Sequence, residues 1–478
     1  MARDPKQLVI VGHGAAGLAA AVSAAEQAAR QNLALAIALL EKAPEAEAGG
    51  NTRCSPSNMR MDAVDRIAPS FEDDMREATG GRVDPGYFHA LATHAVEAVG
   101  WLHGHGVEFA TPPYYLSTGP TRIQPVGGGA AIIAALTHAV KRAGVTIRYE
   151  TAARRLLRSP DGRICGVECR HSDERVETIS ADGVVLASGG FQGDAAMMEK
   201  QFGARANILR LISPGTRFDT GDGIRMAMEL GAAKSGDWNG MHIEPIDPRS
   251  TGSAPVVLVY PYGIIVDQTG RRFFDEGAGL MHETWEDLAR EIHFGRERNI
   301  AYAIFDRRLL DIRDYGRAIR SEVPPYQSDT IEGLAAQIDV PPHALRQTID
   351  GFNAAATGDP ARFDPAGCDS LRTEGLVPPK SNWARAISAP PFLAYPLVGG
   401  IAYTFGGLAT NDKAEVLDSS GPMPGLYAAG EITGHFHGTA PNAVAVLRAL
   451  VFGRIAGKEA AGFLQRQNSE TALGGDLR

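Results

Sequence analysis

The chain has 478 residues, of which 44% are hydrophobic and 22% charged, and its formal net charge is −9. This length accommodates about two or three globular domains. The acidic balance, without a basic stripe, argues against a nucleic-acid binder. The longest apolar run, residues 33–40, is far too short to span a bilayer. Because the first strand begins close to the N-terminus, we expect no signal peptide and a cytoplasmic protein.

The N-terminal residues carry a dinucleotide-binding pattern. Residues 8–11 predict a strand, residues 12–17 read Gly-His-Gly-Ala-Ala-Gly, and an Ala-rich helix is predicted from Ala15 to about residue 30. The three glycines allow a tight turn, close approach of a pyrophosphate and close packing of the helix on the sheet. Glu41 ends the next apolar strand, where its carboxylate can accept hydrogen bonds from ribose hydroxyls. The helix N-terminus offers N–H groups to the phosphates.

Further along the chain, the pattern alternates between helices and strands. Helices are predicted at 87–104, 130–143, 284–294, 331–337, 342–355 and 443–463, and strands at 145–149, 164–170, 176–179 and 184–187. The region from 240 to 391 is richer in charge, proline and aromatic residues, which indicates an inserted domain. The predicted fold class is α/β, with a Rossmann-like FAD-binding domain in two segments (1–239 and 392–478) and an inserted α+β capping domain (240–391).

Several short motifs favour a flavin over a nicotinamide cofactor. The sequence has one Gly-x-Gly-x-x-Gly pattern, whereas flavoproteins that also use NAD(P)H usually have a second, so FAD is the expected cofactor. Residues 49–52 (Gly-Gly-Asn-Thr) permit close approach to a flat ring and offer hydrogen bonds to its edge. Residues 220–223 (Thr-Gly-Asp-Gly) have similar properties. By itself, each motif indicates an ordinary surface turn more than a flavin contact.

Together these motifs resemble the fumarate reductase/succinate dehydrogenase flavoprotein superfamily. The shared segments are 12–17, 49–52, 220–223, 271–276 and 425–431. A closer resemblance is to the FAD-dependent tricarballylate dehydrogenases, and it rests on residues 79–82, 260–264, 372–383, 390–396 and 403–407. The resemblance extends over nearly the whole chain, and its most specific part is Lys-Ser-Asn-Trp at 380–383.

This resemblance implies an FAD site with substrate between the FAD-binding and capping domains, against the flavin ring. The cofactor contacts that it implies are Gly12, Gly14, Ala15, Ala16, Gly17, Glu41, Lys42, Gly50, Asn51, Thr52, Ala153, Asp222, Glu431 and Ala443. In the branch of the superfamily with covalent flavin, a histidine lies near the position of Asn51. None is present here, so noncovalent FAD is expected.

Two segments differ from the family pattern, and both differences concern the substrate. Fumarate reductases have a proton-donating arginine shortly after the segment matching 274–276, but residues 277–283 contain none. They also have a carboxylate-binding arginine after Ala-Gly-Glu, which residues 434–442 lack, and the tricarballylate dehydrogenase pattern is replaced there too. A hydrogen bond to a charged group contributes about 1.5–3 kcal/mol, so a substrate other than fumarate is expected, and tricarballylate stays open.

Three residues are candidates for catalysis. His242 matches the superfamily histidine that opens the capping domain and contacts substrate, and His282 lies where the proton-donating arginine is expected. Tyr403 lies where fumarate reductases have a substrate-binding histidine. Each also has a purely structural explanation, as a core histidine, a surface histidine or a packed aromatic ring. Four further candidates would bind substrate: Arg60, Arg122, His435 and His437. A metal site is not expected, since the two last histidines have no acid or thiolate ligands nearby.

The sequence therefore predicts an FAD-dependent enzyme that interconverts a saturated C–C bond and an alkene next to a carboxylate or carbonyl, with dehydrogenation favoured. Electrons would pass to a separate acceptor, which in the tricarballylate dehydrogenases is a membrane electron-transfer protein, so a peripheral membrane location is compatible with the resemblance. The alternatives are an ene-reductase of an unsaturated acid or enone, a flavoprotein of corrin-ring biosynthesis, and a noncatalytic electron-transfer subunit.

Overall fold

The structure, a computed structural model, describes residues 4–82 and 84–475. The α-helices in this part of the chain are α1 (Ala15–Arg30), α2 (Gly50–Cys54), α3 (Phe71–Ala78), α4 (Pro85–Gly104), α5 (Gly128–Arg142), α6 (Ala195–Phe202), α7 (Asp222–Glu229), α8 (Met281–Arg290), α9 (Ile331–Gln337), α10 (Pro342–Ala355) and α11 (Ala445–Gly475). The β-strands are β1 (Lys6–Val11), β2 (Leu35–Leu40), β3 (Phe109–Ala110), β4 (Gln124–Pro125), β5 (Thr146–Arg148), β6 (Thr151–Arg158), β7 (Ile164–His171), β8 (Val176–Ser180), β9 (Gly183–Leu186), β10 (Arg210–Leu211), β11 (Lys234–Ser235), β12 (Met241–Ile246), β13 (Ile264–Val266), β14 (Ala301–Phe305), β15 (Tyr326–Ser328), β16 (Phe392–Thr404), β17 (Gly407–Leu408), β18 (Glu415–Asp418) and β19 (Gly421–Ala428).

A six-stranded sheet in the order β18-β19-β9-β1-β2-β5 forms the nucleotide-binding domain. Strand β1 runs parallel to β2 and β9, and β19 runs parallel to β9. Because β19 comes from the C-terminal part of the chain, two distant stretches of sequence complete this sheet. The predicted Rossmann-like domain in two segments, with an inserted capping domain, is confirmed. Ligands of such sheets bind at the carboxyl ends of the parallel strands, here the ends of β1, β2 and β9.

The capping domain is organised around the long strand β16. The first half of β16 pairs with β14 and β15, and the second half pairs with β10 and β12. Helices α9 and α10 pack on this sheet through the apolar side chains of Leu334, Leu345, Ile349 and Phe352. Strand β16 therefore connects the cap to the nucleotide-binding domain and carries Tyr403 near its end. The predicted domain boundaries themselves stay a prediction.

Close packing between α1 and α11 places the start of α11 beside the glycine-rich turn. A Cβ atom at Gly453 would lie 2.4 Å from the Ala16 carbonyl oxygen, and one at Gly457 would lie 2.2 Å from that of Ala20. The Ala-rich sequence of α1 serves the same contact, since small side chains let the two helix backbones approach. Van der Waals packing at this distance leaves no room for larger residues.

The predicted elements agree with the structure in type; their boundaries shift by a few residues, and the closing helix continues to Gly475 instead of 463. Two of the shifted helix starts have identifiable reasons. The hairpin of β7 and β8 and the returning strand β9 form as predicted. Helix α8 begins at Met281 instead of 284, because the Glu283 carboxylate accepts the N–H of Leu280 (2.8 Å) and caps the helix there. The closing helix begins at Ala445 instead of 443, because Ala443 has a left-handed φ of 59°.

Candidate active site

The glycine-rich turn has the backbone geometry expected of a phosphate cradle. Gly12 has φ +112°, and a Cβ atom there would lie 2.3 Å from the Ala187 carbonyl oxygen. In the first turn of α1, the Ala15 N–H donates a long hydrogen bond to the Thr52 hydroxyl (3.4 Å), and the remaining N–H groups of this turn are available to a ligand. A Cβ at Gly17 would lie 1.9 Å from the Gly12 carbonyl oxygen. Gly17 thus provides close packing, as predicted.

A cavity extends from this turn, past the carboxyl ends of β1, β2 and β9, to the cap. The predicted cofactor residues that line it are Gly12, Gly14, Ala15, Ala16, Glu41, Lys42, Gly50, Asn51, Thr52, Ala153, Asp222, Glu431 and Ala443. Gly17 is the predicted cofactor residue that lies behind the wall. Predicted cofactor residues from seven separate stretches of sequence therefore meet around one space, which is what a large cofactor requires.

At the start of the cavity, Glu41 holds the glycine-rich turn in place. Its Oε2 accepts the N–H of His13 (2.9 Å), and its Oε1 accepts that of Ala43 (2.8 Å). Burial raises the pKa of the Glu41 carboxyl, while these backbone hydrogen bonds lower it. Each carboxylate oxygen retains a lone pair for a ribose hydroxyl. Nearby, the Lys42 ammonium pairs with Asp222 at 3.0 Å.

Further along, two carboxyl groups are buried in the wall, those of Asp219 and Glu431. Burial raises the pKa of Glu431 to about 7, and burial together with Glu431 raises the pKa of Asp219 well above its ordinary range. The N–H of Thr404 donates to Glu431 (3.1 Å), and the Gln192 amide donates to Asp219 (3.0 Å). The hydroxyl of Ser188 is buried in the same wall without a hydrogen-bond partner. The glycine-rich turn, the N-terminus of α1, the buried carboxyl groups and the unpartnered Ser188 hydroxyl together fit FAD.

At the cap end of the cavity, His242 and Tyr403 face each other across two paired strands. Strand β12 carries His242 opposite Tyr403 of β16, and the two ring centroids lie 4.8 Å apart. Both side chains line the cavity. Burial raises the pKa of the Tyr403 phenol well above its usual value, so the phenol is a neutral hydrogen-bond donor. The structure thus brings together two of the three predicted catalytic candidates.

Two carboxylates hold the imidazole of His242. Glu244, on the same strand, lies 3.1 Å from Nε2, and Glu286 of α8 bonds to Nδ1. Burial lowers the pKa of His242, but the Glu286 and Glu244 carboxylates outweigh it and raise the pKa to about 10. His242 is therefore an imidazolium at neutral pH. Glu244 lines the cavity, whereas Glu286 is buried behind the imidazole.

The third catalytic candidate, His282, does not line the cavity. Its ring meets the edge of Tyr114 with centroids 5.0 Å apart, and its Nδ1 is buried without a hydrogen-bond partner. Burial lowers the pKa of His282, so this side chain is a neutral imidazole beside the wall. Its catalytic role stays a prediction that the geometry does not favour.

Among the four predicted substrate-binding residues, Arg122 lines the cavity and the others do not. Arg60 forms an ion pair with Asp74. His435 is buried against Tyr87 with ring centroids 3.6 Å apart, and burial lowers its pKa well below the ordinary value. Burial also lowers the pKa of the neighbouring His437, with a smaller contribution from Arg82. His435 and His437 thus lie outside the cavity wall.

Sequence reasoning missed several residues of the cap end: Glu244, Glu286, Tyr115, Trp285 and Arg320. Glu244 could have been predicted, because it lies two residues after His242 and residues two apart on a strand share a face. The others come from a helix and from loops, and their approach to His242 depends on tertiary packing.

Comparison with known proteins places the chain among flavoproteins. The sequence profile of the FAD binding domain family matches residues 7–445. The chain is 28% identical over 488 residues to fumarate reductase (cytochrome) of Shewanella frigidimarina, with 97% of this chain and 78% of that protein covered. It is 32% identical over 369 residues to 4-oxocyclohexanecarboxylate 2-dehydrogenase of Sinomonas cyclohexanicum, with 70% and 61% covered.

A solved structure gives the same result. The open conformation of a flavocytochrome c3 fumarate reductase superposes with a TM-score of 0.76 at 25% identity, covering 96% of this chain and 78% of that one. The fold and site thus define an FAD-dependent oxidoreductase that acts on CH–CH groups. The chain belongs to the FAD binding domain family, and FAD is its cofactor.

The described residues contain neither a cluster of metal ligands nor a membrane-spanning helix. Among residues 4–82 and 84–475, no group of three or more His, Cys, Asp or Glu side chains is arranged to hold a metal ion. The helices in the described part of the chain are each too short or too polar to cross a membrane.

Proposed function

We propose that the enzyme interconverts a saturated C–C bond and an alkene next to a carboxylate or carbonyl group. The observation that carries this proposal is the meeting of a charged His242 and the neutral Tyr403 phenol at the cap end of the FAD cavity. Desaturation removes a hydride from one carbon and a proton from its neighbour, and an adjoining carbonyl acidifies that neighbour. The names of the two relatives describe this chemistry in opposite directions.

Within this proposal, Glu244 exchanges the proton with the substrate. Both ring nitrogens of His242 bond to carboxylates, so the imidazolium supports Glu244 from behind. In desaturation the substrate C–H proton moves to the Glu244 carboxylate, and in alkene reduction the proton returns by the same route. Tyr403 donates a hydrogen bond to the substrate carbonyl, where negative charge develops. When bound, FAD supplies the two-electron acceptor or donor for the reaction.

For the direction of reaction, we favour dehydrogenation, as the 32% identical relative is named a dehydrogenase. Tricarballylate is the polycarboxylate that the sequence resemblance suggests as a substrate. We also propose a separate electron acceptor, in line with the cytochrome in the name of the Shewanella relative. Alkene reduction is the second candidate, because it requires a proton from the protein and His242 is protonated at neutral pH.

The test is anaerobic spectroscopy of the purified holoenzyme near the flavin band at roughly 450 nm. Tricarballylate, saturated cyclic acids and cyclic ketones are added singly to oxidised enzyme, and fumarate and other unsaturated acids to dithionite-reduced enzyme. We expect bleaching or reoxidation by at least one acid or ketone. Glu244→Gln should slow that reaction at unchanged FAD content, whereas the exposed control Glu229→Gln should not. Bound FAD that responds to no compound in either direction would overturn the proposal.

A further inference from the structure

We propose that Arg122 and Arg320 together bind a carboxylate of the substrate, and that the aromatic side chains beside them contact an apolar, ring-shaped part of it. This inference rests on the proposed function, whose substrate class it narrows. Neither arginine occupies the segments 277–283 and 434–442, where the sequence resemblance places the missing arginines. Arg320 was not among the candidates from the sequence.

Arg122 is a buried cation in the cavity wall that lacks an anion. Its side chain is 7% exposed and lies over the rings of Tyr114 and Tyr115, 4.4 and 4.6 Å from their centroids. Its Nε has no hydrogen-bond partner, and no carboxylate of the described residues lies within ion-pairing distance. Burial of an unpaired guanidinium is costly. The cavity that it faces is the place from which a compensating anion can come.

Arg320 reaches the same end of the cavity from the cap. Its backbone N–H donates to the Val256 carbonyl (2.9 Å), which fixes the loop, and its half-buried side chain lines the cavity. Within the described chain, this guanidinium likewise has no carboxylate in ion-pairing distance. Burial raises the pKa of the Tyr115 phenol, whereas the nearby Arg122 and Arg320 lower it, and Arg122 lies over the ring at 4.6 Å from its centroid. Two guanidinium groups around one phenol form a site for a carboxylate.

The cap end of the cavity carries positive charge that no carboxylate of the described residues balances. The imidazolium of His242 is paired with the carboxylates of Glu244 and Glu286, whereas Arg122 and Arg320 line the same cavity without such a partner. A substrate carboxylate supplies the missing anion.

The other groups of the wall describe the rest of the substrate. Arg448, another cation in the wall, lies 3.9 Å from the Phe436 ring centroid and lowers the pKa of both Glu431 and Tyr403. The wall at the cap end also carries the aromatic side chains of Tyr115, Trp285 and Tyr403. These flat apolar surfaces fit a ring.

Binding of compounds that cannot be desaturated tests this site separately from the reaction. Dissociation constants of benzoate and benzamide are measured from flavin absorbance changes of the oxidised holoenzyme. We expect benzoate to bind at least about 10-fold more tightly than benzamide. Arg122→Gln and Arg320→Gln should each reduce the preference for benzoate over benzamide by about 10- to 100-fold. Arg122→Lys, which keeps the charge without the planar guanidinium group, should reduce this preference less. The exposed control Arg313→Gln should leave the preference unchanged.

Two results would overturn the inference: equal binding of benzoate and benzamide, or an unchanged benzoate preference in Arg122→Gln with native FAD content and melting temperature. Its failure is distinguishable from that of the proposed function. A benzoate preference that depends on both arginines, in an enzyme whose flavin responds to no substrate, refutes the reaction and supports the site. If the enzyme turns over an acid but its preference for benzoate does not depend on the two arginines, the carboxylate site is refuted and the proposed reaction is not.

Discussion

Substitution of Glu286 by glutamine tests the electrostatic basis of the site. Glu286→Gln removes the carboxylate at Nδ1 of His242 and leaves Glu244 at Nε2. The rise of the His242 pKa from 6.5 to about 10 corresponds to about 5 kcal/mol, at about 1.4 kcal/mol for each tenfold change in proton affinity. An adjacent opposite charge typically accounts for about 1–3 pKa units. We therefore expect the pKa of His242 to fall by about 2 in the variant.

Glu286→Gln should also change how the stability of the protein depends on pH. Because the pKa of His242 is higher in the folded than in the unfolded state, its contribution to stability is complete below about pH 6.5 and is lost as the pH rises through about 10. In Glu286→Gln, this loss should occur through about pH 8. Plots of unfolding free energy against pH for the two proteins should therefore run parallel below about pH 8 and converge between about pH 8 and pH 10.

The assays are a ¹³C-histidine NMR titration, with His242→Gln to assign the signal, and the pH profile of flavin reduction. Glu297→Gln, an exposed position after α8, is the matched control. A native His242 that titrates near 6.5 would refute the reasoning. Identical titrations in Glu286→Gln and Glu297→Gln would refute it as well.

Three more outcomes are expected. Acid precipitation should release the flavin into the supernatant, because Asn51 replaces a flavin-linking histidine; colour retained in washed protein would contradict this. Gly453→Ala should destabilise the protein by about 1–3 kcal/mol through overpacking, whereas Gly462→Ala, with open space around its Cβ apart from the side chain of Arg466, should be neutral or stabilising by up to about 1 kcal/mol. Equal melting temperatures would refute this difference. Lys380→Met should cost about 3–5 kcal/mol, since the buried ammonium donates to two backbone carbonyls. The exposed control Lys413→Met should melt like the native protein.

The cofactor end of the site could be predicted because its signals are local. The glycine turn, the first helix and Glu41 lie within 41 residues, and the backbone conformation of the turn follows from residue type alone. The cap end depends on contacts between distant segments. Arg60 and Arg122 were equivalent candidates in the sequence, but Arg60 pairs with Asp74 while Arg122 has no such partner. No local pattern distinguishes a paired arginine from an unpaired one.

His282 shows in another way that contacts between distant segments cannot be predicted from a local sequence pattern. Its place in the sequence, where an arginine is expected, suggested a proton carrier, but the start of α8 directs it toward Tyr114. Four residues further on, the same helix supplies Glu286, which contacts His242. Binding of an anion requires positive charge in the right volume, and that charge can come from any segment that reaches it. The loss of arginine from two segments is therefore consistent with a carboxylate substrate, because Arg122 and Arg320 supply the charge from elsewhere in the fold.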